Sequence, residues 1–335
     1  MKVSIFDVAK KSGLSVVTVS RVLNNAKTVR EKNRVKVLQA MKDLDYHPNA
    51  AARSLAKGKT GVIGMIVTTL QDSFLDSIVQ SVYSLLKDHG YYLALSVASE
   101  PMEQGVGTDL IQEDRVDGML ILSAVHEEPY VVELKKRKIP FVLIDNQTIQ
   151  PSVTNVNVDN YKGGYDATKH LIDLGHRSIA HIRGPKFFLS ALERERGFKD
   201  AMRDAGLEPF AIEDGKFCIQ SGYDAVQRWL HAGCMPTALF AADDFTAIGA
   251  INALWQAGYK VPDDMSVIGY DDQVIASQLR PKLTTMRQPA HQIGKVAVDL
   301  LIKQINGTNK RSISARLESD IVIRESTSAP NLLQS

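Results

Sequence analysis

From Gly61 onward, short apolar runs alternate with amphipathic segments, and this alternation restricts the fold more than any other feature of the sequence. An apolar run of about 4–8 residues bounded by turn residues is typical of a strand buried in a parallel sheet. Segment 74–89, followed by Gly90, instead has apolar residues at helical spacing. The predicted strands are Val62–Val67, Tyr92–Val97, residues 119–122, Phe141–Ile144, residues 179–182, Ala238–Ala241 and residues 267–269. The pattern predicts doubly wound parallel sheets covered by helices.

The number of strands sets the number of folding units. Seven or more strands over roughly 270 residues fit two lobes better than one sheet, because a single hydrophobic core stops growing at about that length. We therefore expect two α/β lobes. The whole chain, at 335 residues, has room for a further small unit in front of them.

That preceding segment differs from the rest in charge. Residues 1–59 carry a net charge of +9 and the remainder carries −7, which together give the overall +2. A basic segment on an acidic body suits binding to a polyanion, because phosphate contacts and counterion release dominate affinity for DNA. On charge alone, a solvated basic surface remains an alternative.

Composition excludes several classes of protein. No apolar run is long enough to span a bilayer, and the N-terminus lacks the apolar core and cleavage site of a secretory signal. Two cysteines, Cys218 and Cys234, cannot build a disulfide framework. We expect a cytoplasmic protein with no membrane partner.

Three helix starts are visible in the first 45 residues. Ser4, Ser15 and Thr28 stand where an N-cap belongs, and Asp7 and Glu31 would complete capping boxes in the first and third helices. Apolar residues at helical spacing predict a compact three-helix core, and Gly13 supplies the turn after the first helix. The core residues are Val8, Ala9, Leu14, Val19, Val22 and Leu23. Helix, glycine-containing turn and helix is the helix-turn-helix pattern.

Two ordered motifs carry a family resemblance. Residues 5–24, IFDVAKKSGLSVVTVSRVLN, resemble the DNA-binding head of the LacI/GalR repressor family, and residues 46–55, YHPNAAARSL, resemble its hinge segment. The second helix, about 16–24, would lie in the major groove. We expect Val16 and Val17 to be exposed there; they have no hydrogen-bonding groups and suit thymine methyls, whereas Arg21 suits guanine. A place for either valine in the apolar core is the alternative. The predicted DNA contacts of the head are Ser15, Val16, Val17, Thr18, Ser20, Arg21 and Asn24.

The hinge resemblance implies a helix that forms when two copies pair on DNA. Leu55 of each copy would enter the minor groove as an apolar wedge, with Asn49, Ala52 and Arg53 beside it. A segment this short is too small for a stable isolated helix, so its ordering would depend on DNA and on the second copy. A flexible tether is the alternative.

The resemblance extends through the body, where motifs such as 267–272, VIGYDD, and 283–289, LTTMRQP, match the family. It implies an all-α helix-turn-helix head with a hinge helix, followed by an α/β periplasmic-binding-protein-like core of two Rossmann-like lobes. The predicted domains are 1–46 (head), 47–60 (hinge and linker) and 61–328 (core). Within the core, lobe 1 would be about 61–157 and 289–316, and lobe 2 about 158–288 and 317–328.

A small-molecule effector is expected at the carboxyl ends of the strands, between the lobes. Family alignment makes Arg194 and Asp271 the best candidates for ligand contact. The full predicted set is Phe74, Asp145, Ser190, Arg194, Phe217, Asp243 and Asp271. Carboxylates accept hydroxyl hydrogens, arginine donates in a planar fork, and aromatic rings stack on sugar faces. Interlobe ion pairing or helix capping is the alternative role of these residues.

One position departs from the family, which often has Asn-Asp where this chain has Asp243 and Asp244. An ionised Asp accepts hydrogen bonds but cannot donate them. The departure favours a hydroxyl-rich or cationic ligand.

The resemblance implies a homodimeric repressor of carbohydrate-utilisation genes that binds a pseudo-palindromic operator and responds to a sugar or sugar derivative. We expect a dimer because the tail lacks a leucine heptad. A purine-like effector, or a protein corepressor, is the alternative within the family. No catalytic residue, cofactor or metal is predicted: a glycosidase pair such as Asp271 and Asp272 would point apart, strand 1 lacks a glycine-rich turn, and Cys218, His231 and Cys234 lack a fourth ligand. A sugar-transport module would need a signal peptide and no basic head.

Overall fold

The computed structural model describes residues 3–23, 26, 28–46, 59–70, 72–98, 111, 115–124, 127–147, 152–308 and 311–331. The chain separates into two compact units, Met1–Gly61 and Val62–Ser335. Among the described residues, no helix combines the length and the apolar character that crossing a membrane requires.

The first unit contains three helices: α1 (Ile5–Ser12), α2 (Val16–Leu23) and α3 (Glu31–Asp43). The capping box of α1 is confirmed, because the backbone N–H and hydroxyl of Ser4 both donate to the Asp7 carboxylate, at 2.8 and 2.7 Å. Gly13 ends α1 with φ 69°, in the left-handed region that glycine adopts without strain. Ser15 caps α2 by accepting from the Thr18 N–H at 3.2 Å.

The capping box predicted for the third helix is wrong. Helix α3 begins at Glu31 after Arg30, whose backbone is extended and which makes no side-chain cap. Glu31 is therefore the first helical residue and not the third, and Thr28 lies in the turn before it.

The apolar core of the head is confirmed. Val8, Ala9, Val19 and Val22 are buried, with Leu14 and Leu23 partly buried against them. Helix α3 completes this core with Val37 and Ala40.

The second unit alternates strands and helices. Its strands are β1 (Val62–Val67), β2 (Tyr92–Val97), β3 (Gly118–Leu122), β4 (Phe141–Ile144), β5 (Asn155–Val158), β6 (Ile179–Arg183), β7 (Ala211–Asp214), β8 (Ala238–Ala241), β9 (Ser266–Asp271), β10 (Thr284–Arg287), β11 (Ser314–Leu317) and β12 (Asp320–Val322). Its helices are α4 (Ser73–Asp88), α5 (Glu128–Arg137), α6 (Asn160–Asp173), α7 (Leu189–Asp204), α8 (Ile219–Ala232), α9 (Asp244–Gln256) and α10 (Ala290–Ile305), with a 3₁₀ turn at Val274–Ser277.

The strands form two sheets, and each sheet is the centre of one lobe. The order is β11-β5-β4-β3-β1-β2 in lobe 1 and β12-β10-β9-β8-β6-β7 in lobe 2. All neighbours are parallel except β12, which runs antiparallel to β10. The chain passes between the sheets after β5, after β10 and after β11.

Helices cover both sheets and close separate apolar cores. In lobe 1, Ala297 and Leu301 of α10 pack with Ile63 and Leu120 of the sheet. In lobe 2, Leu171 of α6 packs with strands β6 to β10. Because β1 to β4 and β8 to β10 are parallel within their sheets, their carboxyl ends bring the following loops together.

Candidate ligand cleft and nucleic-acid interface

Helix α2 presents a mixed face to solvent. Val17 is 60% exposed, and Arg21, one turn later, is exposed on the same side. Ser15 is exposed, and Thr18 and Ser20 are half-buried. The face therefore offers one apolar and one cationic group together with small hydroxyls, as contact with base edges and phosphates requires.

Val16 departs from the prediction that both valines are exposed. The Val16 side chain is half-buried and packs against the apolar core of the head, so that of the two valines Val17 alone is exposed to solvent. Asn24 and the four hinge residues Asn49, Ala52, Arg53 and Leu55 lie outside the described residues.

A cavity of about 810 Å³ lies between the lobes, at the carboxyl ends of the strands of both sheets. All seven residues expected to contact a ligand line it: Phe74, Asp145, Ser190, Arg194, Phe217, Asp243 and Asp271. Residues that sequence reasoning missed also line it, including Asp72, Tyr130, Phe188, Lys216, Phe245 and Gln288. We call this cavity the main cavity. Its size is that of a small-molecule pocket.

Arg194 is fixed at the back of the main cavity by several neighbours. Its guanidinium donates to the Asn160 side-chain oxygen at 2.9 Å and to the Ala242 carbonyl at 2.6 Å. It also lies 3.7 Å from the ring centroid of Tyr270 and 3.5 Å from the Asp271 carboxylate. A side chain that is only 5% exposed is thus oriented before any ligand arrives.

The close contact between Gly164 and the backbone of Arg194 positions the arginine. Helices α6 and α7 cross so closely that a Cβ on Gly164 would collide with the backbone carbonyl oxygen of Arg194. Only glycine fits this crossing without displacing the arginine's backbone.

Asp271 lies beside Arg194 in the wall of the main cavity. The Gln288 amide donates to its carboxylate at 2.6 Å, and its backbone has φ 104°, a conformation that side-chain-bearing residues rarely adopt. Burial raises the pKa of Asp271 to about 8, although the Arg194 charge opposes the increase. A strained, buried carboxyl beside an oriented arginine is typical of a binding site.

Of the other carboxyls of the main cavity, Asp243 is buried and Asp145 and Asp72 are half-buried. Loss of hydration raises the pKa of each, because it disfavours the charged form. Asp243 caps α9 by accepting from the Thr246 N–H at 3.0 Å, and its pKa rises to about 6. Asp145 accepts from the Ser123 hydroxyl at 2.7 Å. Asp72 caps α4 by accepting from the Phe74 N–H at 2.8 Å. Asp271, with a pKa of about 8, is therefore available near neutral pH as a neutral carboxyl group, which donates as well as accepts.

Asp244 does not extend this acidic lining. Its carboxylate is buried behind the cavity, where it accepts from the Thr285 hydroxyl at 2.6 Å and the Gln273 N–H at 2.7 Å. Burial and the nearby Asp271 raise its pKa well above the ordinary value. The Asp243 and Asp244 pair thus gives the cavity one carboxyl, that of Asp243.

Hydrogen bonds between described residues also join the lobes away from the crossing strands. The Ser73 hydroxyl of lobe 1 donates to the Gln273 side-chain oxygen of lobe 2 at 3.0 Å. The Leu189 N–H of lobe 2 donates to the Gln147 side-chain oxygen of lobe 1 at 2.8 Å. These bonds favour the arrangement in which the two lobes approach each other.

The residues missed from sequence had a local signal in only one case. Asp72 precedes a helical segment in the position of an N-cap, so its pattern was readable. Lys216 and Gln288 follow strands β7 and β10, whose polar composition hid them.

Comparison with known families and proteins gives matches at both ends of the chain. The model for bacterial regulatory proteins of the lacI family matches residues 4–49, and the periplasmic binding protein-like domain matches residues 168–327. The HTH-type transcriptional repressor PurR of Histophilus somni (strain 129Pt) is 37% identical, over 96% of this chain and 98% of that protein.

Solved structures match over nearly the whole chain. The lac repressor dimer bound to operator and the anti-inducer ONPF superposes with a TM-score of 0.88 at 29% identity, covering 98% of this chain and 100% of that chain. The complex of the transcriptional regulator CelR with cellobiose gives 0.74 at 30% identity, covering 97% and 100%.

Proposed function

Because the chain belongs to the LacI family of bacterial regulatory proteins and is a DNA-binding transcriptional repressor, we propose that a sugar or sugar derivative in the main cavity controls its affinity for operator DNA. The observation that carries the proposal is the lining of that cavity, where two buried and two half-buried carboxyls surround one oriented arginine. Sugar hydroxyls donate to carboxylates and accept from a guanidinium. The genes it represses would be those for carbohydrate utilisation.

Aromatic side chains supply the apolar half of this recognition. Phe74, Phe217 and Phe245 line the same cavity, and the Arg194 guanidinium lies 5.9 Å from the centroid of the Phe217 ring. Ring faces of this kind stack on the apolar faces of sugars. A solved relative that holds cellobiose supports the same class of ligand.

A purine-like metabolite is the second candidate, because a relative with 37% identity is the repressor named PurR. The aromatic rings would also stack on a purine. However, a purine presents several ring acceptors, and the cationic donors in the lining are only Arg194 and Lys216 among the described residues. The excess of carboxyls favours a ligand rich in hydroxyl donors. A protein corepressor remains the third route of control.

On DNA, a cytoplasmic homodimer would place helix α2 of each copy in successive major grooves of a pseudo-palindrome. Val17 and Arg21 would contact base edges, with Val16 lying partly beneath them. Contacts to phosphates would come from Ser15, Thr18, Ser20 and Asn24. Leu55 of each hinge would enter the minor groove, with Asn49, Ala52 and Arg53 beside it. We retain 1–46, 47–60 and 61–328 as head, hinge and core.

The ligand acts by preferring one arrangement of the lobes. A ligand shifts an equilibrium only through different affinities for its two states. The interlobe bonds of Ser73 and Gln147 are made in the arrangement described, so a ligand that touches both lobes would change how often they form.

The test is a thermal-shift screen of sugars, sugar phosphates and purines on the full chain, followed by DNA-binding anisotropy with a selected palindromic duplex. A sugar that raises Tm and changes duplex affinity is the expected result. Arg194→Lys should abolish the response. Arg203→Lys, on the exposed side of the same helix, should leave it intact. If only a purine raises Tm, the effector is a purine and not a sugar. If the Arg194→Lys variant still responds, the ligand does not bind at Arg194 in the main cavity.

A further inference from the structure

A second cavity, of about 420 Å³, lies beside the main one between the two lobes. Lobe 1 contributes strands β5 and β11, and lobe 2 contributes the first turns of α7. Two of the three crossings between the lobes, after β5 and after β11, pass this cavity. A molecule held here would therefore touch both lobes and the connections between them.

Asparagine side chains form the wall of the second cavity. Asn155 and Asn157 stand two positions apart on β5, which places them on the same face of the strand, and Asn146 and Asn160 adjoin them. The Asn157 amide donates to the Asn146 oxygen at 2.6 Å and to the Asn155 oxygen at 3.3 Å. Asparagine is unfavourable in strands, and burying polar side chains is costly unless they find partners. These amides partner one another, so their burial needs no ligand; their concentration gives the cavity wall hydrogen-bonding groups that suit a polar occupant.

The charges at this cavity are largely paired. Glu193 and Arg196 form an ion pair at 2.8 Å, and Asp159 and Arg316 approach to 3.4 Å. Arg196 is further fixed over the ring of Tyr161, 4.4 Å from its centroid. Because these ions have partners already, the cavity suits an uncharged ligand with many hydrogen-bonding groups.

The two cavities share part of their lining. Asp145 and Ser190 line both of them. Asn160 lines the second cavity, and its side-chain oxygen accepts from Arg194, which lines the main one, at 2.9 Å. A ligand that engages Asn160 would thus change the environment of the arginine at the main site.

We propose that the second cavity is a separate binding site for an uncharged polyhydroxylated molecule, a sugar ring or a sugar alcohol, coupled to the main cavity through Asn160 and Arg194. This goes beyond a single effector per chain. By linkage, each ligand would change the affinity of the other by the same factor, which for coupled sites is typically about 5-fold or more.

The experiment is isothermal titration of the full chain with D-glucose, D-ribose, D-mannitol and myo-inositol, each alone and each after saturation with one of the other three. Ser314→Trp places a large side chain in the second cavity from the exposed strand β11 without touching the main one. Ser312→Trp is the matched control, since Ser312 is equally exposed and lines neither cavity. Glu193→Phe fills the second cavity from lobe 2. It replaces Ser314→Trp as the test variant if Ser314→Trp lowers Tm.

The expected result is a second molecule bound per chain in the wild type and in Ser312→Trp, and its loss in Ser314→Trp and Glu193→Phe. One molecule per chain with every probe, or a second event that both filled variants retain, would overturn the proposal. Arg194→Lys separates the two sites, because it should remove the main-cavity event while leaving a second event measurable.

Discussion

The guanidinium of Arg194 lies 3.7 Å from the centroid of the buried Tyr270 ring, which forms the floor beneath it. A cation placed over an aromatic face in a dry site is stabilised by the ring's quadrupole. With the Ala242 carbonyl at 2.6 Å and the Asn160 oxygen at 2.9 Å, the planar group is held on several sides. Binding then loses little entropy in ordering this side chain.

The first prediction follows from this arrangement. Arg194→Lys keeps the charge but cannot make the planar stack and both hydrogen bonds together. We expect the free energy of unfolding to fall by about 2–3 kcal/mol and ligand binding to be lost. Urea unfolding and calorimetric titration measure the two effects. An unchanged midpoint in urea would show that the contacts of Arg194 contribute little to stability.

The second prediction concerns Arg21. If its side chain pairs with guanine in the major groove, Arg21→Ala should weaken binding to a selected operator by roughly 1–3 kcal/mol, about 5- to 150-fold. The loss should relax the preference at one base pair. A contact to phosphate would instead weaken all sequences equally. Fluorescence anisotropy with the operator and with single-base variants distinguishes these outcomes. Arg203→Ala, on an exposed helix of the effector-binding domain, is the control.

The third prediction concerns the interlobe bond of Ser73 and Gln273. Ser73→Ala removes the donor to the Gln273 oxygen and should weaken any ligand that prefers the close arrangement of lobes by up to about tenfold, since one hydrogen bond is worth about 0.5–1.5 kcal/mol. Ser77→Ala is the control, because that hydroxyl bonds within the same helix, to the Ser73 carbonyl. Equal ligand affinities of Ser73→Ala and Ser77→Ala would show that the bond between Ser73 and Gln273 has no part in ligand binding.

Much of the fold was predictable because buried parallel strands are continuous apolar runs. All seven predicted strands are confirmed, with ends that differ by at most two residues. Strand β5 escaped detection because Asn155 and Asn157 alternate with its valines, and β7 because it ends in Glu213 and Asp214. In both, neighbouring strands stabilise a sequence with little strand preference of its own.

The members of the main cavity were predictable from topology, but their electrostatics were not. The carboxyl ends of parallel strands lie at one edge of each sheet, and in this protein the two edges line the same cavity. This brings Asp145 of one lobe together with Asp243 and Asp271 of the other. Whether they bind ligand stays a prediction. The buried position of Asp244 depends on a hydrogen bond from Thr285. The interlobe bond of Ser73 depends on Gln273, which lies 200 positions away in the sequence. Contacts at such separations leave no local pattern in the sequence.

The buried carboxyl of Asp271 gives the last prediction, a dependence of stability on pH. Its pKa of about 8 lies above that of an unfolded aspartate near 4, because burial disfavours the charged form. Between these values the folded state binds a proton that the unfolded state has released. Its contribution to stability is therefore complete below about pH 4 and is lost as pH rises through about 8.

For one group the slope cannot exceed about 1.4 kcal/mol per pH unit. The free energy of unfolding, measured in urea at pH 6, 7, 8 and 9, should consequently fall more steeply for the wild type than for Asp271→Asn, whose amide does not titrate. Asp224→Asn, an exposed carboxyl on α8, is the control and should run parallel to the wild type. Parallel profiles for the wild type and Asp271→Asn would mean that the Arg194 charge keeps Asp271 ionised throughout, and that the main cavity offers a ligand an ion pair and not a neutral donor.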